Sequence, residues 1–114
     1  MDDCIFCKII SGEIPSDKIY EDDKIFVFSD INPEAPIHFL VIPKEHIASV
    51  NELTDTNADI ISHIFLQIKK LVKQVGIDES GYRVITNTGD DAGQTVHHMH
   101  FHVIGRKKLS LKLS

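Results

Sequence analysis

The sequence predicts an α+β fold: an antiparallel meander of short strands, one long helix inserted into it, and a short helix near the N-terminus. Three observations carry this. One stretch, from about Asp55 to Val75, keeps apolar residues at helical spacing. Several other stretches are short, rich in β-branched and aromatic residues, and divided by Gly, Pro and Asp clusters. Near the C-terminus, Val96-His97-His98-Met99-His100-Phe101-His102-Val103 alternates imidazoles with apolar side chains, the period of a strand.

Taken in order, Cys4 to Ile10 reads as a short helix with an apolar surface from Ile5, Phe6, Ile9 and Ile10, ended by Ser11-Gly12. Pro15 keeps the next stretch extended. Lys18 to Glu21 and Lys24 to Ser29 form a hairpin across Asp22-Asp23, with Val27 on one face and Phe26 and Phe28 on the other. The two prolines between Asp30 and Pro36 make that stretch a loop. His38 to Ile42 is nearly continuously apolar until Pro43, the pattern of a central strand covered on both sides. A short turn or helix is expected around Ala48-Ser49-Val50.

In the long helix, Ile60, Ile61, Ile64, Phe65, Ile68, Leu71, Val72 and Val75 lie on one stripe that must pack on the sheet. Asp55 and Asp59 at its start, and Lys69, Lys70 and Lys73 near its end, suit the helix dipole; Gly76 stops it. His63 falls off the stripe and reads as solvated. Tyr82 to Asn87 alternates as a strand, and a Gly- and Asp-rich loop over 88–93 returns the chain into the histidine segment.

With 114 residues the chain makes one domain, residues 1–114, large enough for a real core. Hydrophobic and charged fractions of 42% and 25% are those of an ordinary globule. No apolar run suits a membrane span and the acidic start lacks a signal-peptide pattern, so a cytoplasmic location is expected. A formal charge of −5 argues against a nucleic-acid backbone as partner. Small anions stay open, because backbone amides bind them locally.

The histidine segment is where chemistry is expected. On a strand, His98, His100 and His102 share a face while Met99, Phe101 and Val103 enter the core. Imidazole near neutral pH serves as nucleophile, acid, base or metal ligand, and spacing alone does not choose. In the preceding loop, glycine permits close approach of backbone to phosphate, and Gln94 and Thr95 offer donors, although a plain hairpin turn reads equally well. Cys4 and Cys7, in C-x-x-C spacing, form a metal half-site, a redox pair or two small buried side chains. A zinc site would need two imidazoles, with His46 and either His97 or His98 as candidates.

His98-Met99-His100-Phe101-His102-Val103-Ile104 resembles the signature of the histidine triad (HIT) superfamily. Ile5-Phe6-Cys7-Lys8-Ile9-Ile10, Gly12-Glu13-Ile14-Pro15, Phe28-Ser29-Asp30-Ile31, His38-Phe39-Leu40-Val41-Ile42-Pro43-Lys44 and Gly93-Gln94-Thr95-Val96 are similar to its Hint branch of small nucleoside phosphoramidases. The resemblance implies a HIT-like fold and a homodimer. It also implies cleavage of the bond from the α-phosphate of a purine nucleoside monophosphate (AMP-type) phosphoramidate. His100 would attack phosphorus to give a nucleotidyl-histidine, His102 would stabilise the transition state as a protonated ring, and His38 would support the row, with His98 completing the catalytic set. Asp30 would accept the ribose hydroxyls, and Phe6, Ile14, Phe28 and Ile31 would form the base slot. Asn87, Gly93, Gln94, Thr95 and Val96 would hold the phosphate and leaving-group side.

Relatives with an N-terminal C-x-x-C bind zinc through positions that correspond here to Cys4, Cys7, His46 and His98. His98 is preferred to His97, which faces away from the triad. No organic cofactor is implied. The tail after Gly105 lacks the Trp-containing ending of some Hint proteins, so leaving-group preference does not carry over. Two other readings stand beside the first: a dinucleoside polyphosphate hydrolase of the same superfamily, and a nucleotide-binding sensor or partner-binding dimer.

Overall fold

A computed structural model describes residues 3–112, leaving the first residues of the acidic start and the last two of the tail outside. The chain runs α1 (Ile5–Ser11), β1 (Lys18–Glu21), β2 (Ile25–Ser29), β3 (Ile37–Pro43), a 3₁₀ turn (Val50–Glu52), α2 (Asp59–Gln74), β4 (Tyr82–Ile85), a second 3₁₀ turn (Asp90–Ala92) and β5 (Phe101–Gly105). All pairings are antiparallel, in the order β1-β2-β3-β5-β4. The α+β class and antiparallel sheet are as the sequence predicts, but the meander holds only through β3. Helix α2 then carries the chain across the sheet so that β4 runs in the same direction as β3, which requires a crossover. The last strand fills the gap between them, so β5 lies inside the sheet, paired with β3 on one side and β4 on the other.

Side-chain alternation divides the interior into two layers. Ile25 and Val27 of β2, Phe39 and Val41 of β3, and Met99, Phe101 and Val103 meet Ile64, Ile68, Leu71 and Val72 of α2. Phe26, Phe28, Leu40 and Ile42 turn the other way, against Phe6 and Ile9 of α1. The imidazole row belongs to this second, thinner layer. Helix α1 starts at Cys4, whose Sγ accepts the Cys7 amide, and ends at Gly12, which takes φ of 87°. That left-handed value favours glycine.

Three boundaries differ from expectation, each for a local polar reason. Helix α2 begins at Asp59 rather than Asp55, because Thr54 and Asn57 form a separate turn in which the Thr54 amide donates to Asn57 Oδ1 at 2.7 Å. Strand β4 stops at Ile85 rather than Asn87, and β5 starts at Phe101 rather than Val96. At the junction the Thr86 hydroxyl donates to the His100 carbonyl at 2.8 Å, replacing a ladder bond with a side-chain bond. His98 and His100 therefore approach the sheet on an irregular segment, and only His102 of the triad lies within a strand.

His63 is not simply solvated. Its Nε2 lies 2.8 Å from Asp22 Oδ2, tying α2 to the β1–β2 turn. Asp22 is a hub: Oδ1 accepts the amides of Lys24 and Ile25, and Oδ2 also accepts the Tyr20 hydroxyl. Burial acts to raise its pKa, but the bonds from Lys24, His63, Ile25 and Tyr20 outweigh that and hold it down at about 2. A depressed carboxylate stabilises the fold above its unfolded pKa and loses that contribution as pH falls through its folded pKa. Asp22→Ala is accordingly expected to cost about 2–3 kcal/mol at neutral pH. Its stability curve should also lack the acid limb that the native protein shows between about pH 4 and pH 2. Urea titrations at pH 7 and pH 3 check this; equal losses at both would refute it.

Candidate active site

Four imidazoles line one face of the sheet, and backbone groups set the hydrogen on each. His38 on β3 and His102 on β5 are diagonal neighbours, since His38 pairs with Ile104 and Leu40 with His102. The Glu34 amide donates to His38 Nδ1 at 3.0 Å, so that nitrogen is an acceptor and Nε2 carries the hydrogen. His38 Nε2 lies 2.9 Å from His102 Nδ1 and 3.3 Å from Asp30 Oδ2. His102 therefore accepts at Nδ1 and presents Nε2–H outward.

His100 has the opposite tautomer. Its Nδ1 is 2.7 Å from the His98 carbonyl, which can only accept, so Nδ1 carries the hydrogen and Nε2 keeps its lone pair. The Phe6 ring meets the His100 ring edge-on at 5.0 Å, and His102 lies on its other side at 5.2 Å. His100 is buried and turns little between these walls. An imidazole so held, neutral and hydrogen-bonded through Nδ1, is a nucleophile that need not first lose a proton.

Burial favours the neutral form of the three triad rings. Burial holds His98 and His100 below the usual imidazole range, and burial, reinforced by His100 and His38, pushes His102 down to about 4. In the free protein desolvation disfavours the charged form of His102, and the bond from His38 orients its ring.

The residues expected around a base and ribose separate into two groups. Phe6 and Phe28 are buried and stack edge-on at 5.7 Å, with Ile14 half-buried against the same layer. Ile31, by contrast, is 89% exposed and packs on nothing in that layer. Asp30 Oδ1 accepts the Asn32 amide at 2.8 Å, which fixes the carboxylate at the rim of the histidine row.

In the loop, Gln94 is corrected as a phosphate donor. Its Nε2 donates to the carbonyls of Ala48 and Val96, and its Oε1 accepts the Gly89 amide, so the buried side chain staples the loop. Gly89 and Gly93 both take φ of 82°, shaping the bend. Asn87 is half-buried. Thr95 and Val96 line a hollow of about 290 Å³ with Cys4 and His46.

Beside the row, Cys4, Cys7, His46 and His98 bring one ligand atom each within 4.8 Å of the others. Cys4 Sγ is 3.4 Å from His98 Nδ1, Cys7 Sγ is 3.4 Å from His46 Nδ1, and Cys7 Sγ is 3.6 Å from His98 Nδ1. Zinc bonds of about 2.3 Å to sulfur and 2.0–2.1 Å to nitrogen, at the tetrahedral angle, put sulfur and nitrogen about 3.5 Å apart. The donor set and its spacing fit that ion. His98 Nε2 donates to the Pro43 carbonyl at 2.8 Å, which leaves Nδ1 free to ligate. Burial, then the hydrogen bond and charge of Cys4, push the Cys7 thiol up to about 11. His97 is exposed and takes no part in the cluster.

A family model for the HIT domain matches residues 11–109. The chain belongs to the HIT family. An uncharacterized HIT-like protein of Synechococcus elongatus is 46% identical over 109 residues, covering 96% of this chain and 95% of the relative. Among solved structures, a HIT family hydrolase from Clostridium thermocellum superposes with a TM-score of 0.96 at 47% identity, covering 100% of this chain and 99% of its own. A histidine triad nucleotide-binding protein from Candida albicans gives 0.80 at 40% identity, with 97% and 86% covered.

The HIT signature marks the imidazoles but not what fixes them. The Glu34 amide, the Pro43 and His98 carbonyls and the Thr86 hydroxyl set ring tautomers and chain position, and three of these four are backbone groups that no residue type reveals.

Proposed function

We propose that this HIT protein is a hydrolase of purine nucleoside monophosphate derivatives of the phosphoramidate type, acting through a nucleotidyl-histidine. The observation that carries this is the tautomer of His100, whose Nε2 lone pair is held in place by the His98 carbonyl. Nε2 attacks the α-phosphorus and the P–N bond to the leaving amine breaks. The amine departs with the bonding pair and takes up a proton from solvent. Water then attacks the same phosphorus; the P–Nε2 bond breaks with its pair returning to Nε2, the oxygen stays on the nucleoside monophosphate and the proton is released to solvent. His102 Nε2–H donates to the phosphoryl oxygen or departing nitrogen, where developing charge makes a preorganised donor effective. His38 positions His102, and the His98 carbonyl positions His100.

In this reading the Phe6, Phe28 and Ile14 surface receives the base, with Ile31 closing over it, and Asp30 accepts the ribose hydroxyls. Gly93, Thr95 and Val96 offer backbone amides to the phosphate beside Asn87, while Gln94 keeps the loop in shape. Zinc held by Cys4, Cys7, His46 and His98 would supply a structural cross-link between α1 and the histidine segment, with no open position for water. Residues 1–114 act as one domain.

Incubation with adenosine 5′-phosphoramidate is expected to release AMP and ammonia, and acid-sensitive adenylyl-protein should appear in quenched samples by mass spectrometry. Turnover with no adduct under rapid quench, and incorporation of labelled oxygen in a single step with inversion at phosphorus, would remove the covalent route.

A homodimer is part of the proposal. Phe65 and Leu66 on α2 are 44% and 59% exposed, Phe65 stacking on Phe101, and the neighbouring β4 edge has no partner strand among the described residues. Exposed apolar side chains grouped in this way mark association sites. Sedimentation should give twice the 12.9 kDa chain mass, and Leu66→Asp should shift it to one; a monomeric native protein refutes the dimer.

A further inference from the structure

Asp30 and His38 face each other where β2 and β3 part. The last ladder pair is Ser29 with Phe39, and the Asp30 amide donates to the His38 carbonyl at 3.1 Å. Opposed residues share a face of the sheet, and His102 is diagonal to His38 on β5, so one carboxylate and two imidazoles form a line across three strands. His38 is the middle member and the least accessible, its side chain 3% exposed against 17% for Asp30 and 22% for His102. A ligand can touch either end of the line but not its centre.

That centre has one hydrogen to give. Its Nδ1 is committed to the Glu34 amide, so the hydrogen sits on Nε2. Two acceptors lie within its reach, His102 Nδ1 at 2.9 Å and Asp30 Oδ2 at 3.3 Å, and they stand 4.0 Å from each other. Asp30 Oδ1 is satisfied by the Asn32 amide, but among the described residues no donor other than His38 reaches Oδ2. The carboxylate therefore pulls on the same hydrogen that orients His102. A donor arriving at Oδ2 from outside would relieve that pull and strengthen the bond to His102. An imidazole that accepts a stronger bond at Nδ1 donates better from Nε2, because chained hydrogen bonds polarise one another.

We propose that the ribose is this donor: its hydroxyls occupy Asp30 Oδ2, release the His38 hydrogen to His102 Nδ1, and so prime the His102 Nε2–H for the phosphoryl group. Asp30 is then a positioning residue, acting on the chemistry through His38, as well as a contact for the sugar. This rests on the phosphoramidate reading and on Asp30 as its ribose acceptor. It adds that contacts to the sugar raise kcat as well as affinity.

Adenosine 5′-phosphoramidate and its 2′,3′-dideoxy analogue, which lacks the donors, test it at saturation. In the native protein the dideoxy compound is expected to turn over about tenfold more slowly in kcat, beyond any rise in KM. His38→Ala interrupts the line but keeps Asp30, so the KM difference should remain while the two kcat values agree within about twofold. Asp30→Asn gives the sharpest sign. The Asn32 amide still claims the side-chain oxygen, which leaves an NH₂ group opposite His38, and that group does not accept. This variant should cleave the dideoxy compound about threefold or more faster than the native protein does, a gain that a carboxylate serving only to hold the sugar or the loop would not give. A second readout is the magnetic-resonance coupling across the bond from His38 Nε2–H to His102 Nδ1, measured in isotopically labelled His100→Asn protein, which forms no adduct. Saturating AMP should raise that coupling and 2′,3′-dideoxy-AMP should not. A ribose effect confined to KM in the native protein, a kcat difference that survives His38→Ala, no gain in Asp30→Asn, or a coupling raised equally by both nucleotides overturns the proposal. If neither phosphoramidate is cleaved but AMP alone raises the coupling, the reaction reading falls and the relay stands; cleavage of both with equal kcat does the reverse.

Discussion

His100→Ala is expected to lower kcat for an adenosine phosphoramidate by at least about 10³-fold, a loss of roughly 4 kcal/mol in transition-state stabilisation, with no adenylyl-protein formed. The size follows from what is lost. No other imidazole can substitute: His102 Nδ1 is taken by His38, its Nε2 carries a hydrogen, and both nitrogens of His98 face the Pro43 carbonyl or the cysteines. A directly attacking water would have to expel the amine itself, without the phosphoryl-imidazolium that makes the second displacement easy. Affinity should change little, because the base and ribose contacts lie elsewhere.

Removing a buried ring also leaves a cavity beside Phe6, so His100→Asn is the sharper probe, since its amide can still donate to the His98 carbonyl. Both variants should be equally inactive. Activity surviving in His100→Asn would end the nucleophile assignment. His38→Ala, which acts only through His102, should be milder, about 10- to 100-fold in kcat with an adduct still formed.

How far these roles were legible depends on whether a side chain or a backbone group decides them. The stripe from Ile60 to Val75 and the hairpin around Asp22-Asp23 could be read directly, because burial follows periodicity. The alternation of the histidine segment was legible as well: Met99, Phe101 and Val103 do enter the α2 layer. That this segment is mostly not a strand was hidden, because the interruption arises from Thr86 bonding the His100 carbonyl across the sheet. Gln94 was misleading for a similar reason. An amide beside glycines suggests anion binding, yet burial commits all its donors to carbonyls. His63 showed only that it lies off the apolar stripe, and its partner Asp22 lies 41 residues away.

Stripping zinc is the second large effect expected, and it reaches catalysis through structure. Protein purified from zinc-replete cells should carry about one zinc per chain, and Cys4→Ser, Cys7→Ser should abolish it. An ion that binds the folded state far more tightly than the unfolded one adds several kcal/mol of stability. For a chain of this size that corresponds to a fall in Tm on the order of 10 °C when the cysteines are replaced or a strong chelator is added. Without the ion, two sulfurs and two imidazoles that approach within 3.4–3.6 Å lose the charge that holds them together. His98 then loosens, and with it the carbonyl that orients His100 only two residues on. Turnover should therefore drop by about tenfold with KM little altered, and zinc should restore it in the chelated native protein but not in the double serine variant. The adduct should still form in both, more slowly, which separates a supporting ion from one that takes part in the chemistry. Metal-free protein with an unchanged Tm and full activity would show that the four side chains hold α1 in place by packing and hydrogen bonding alone.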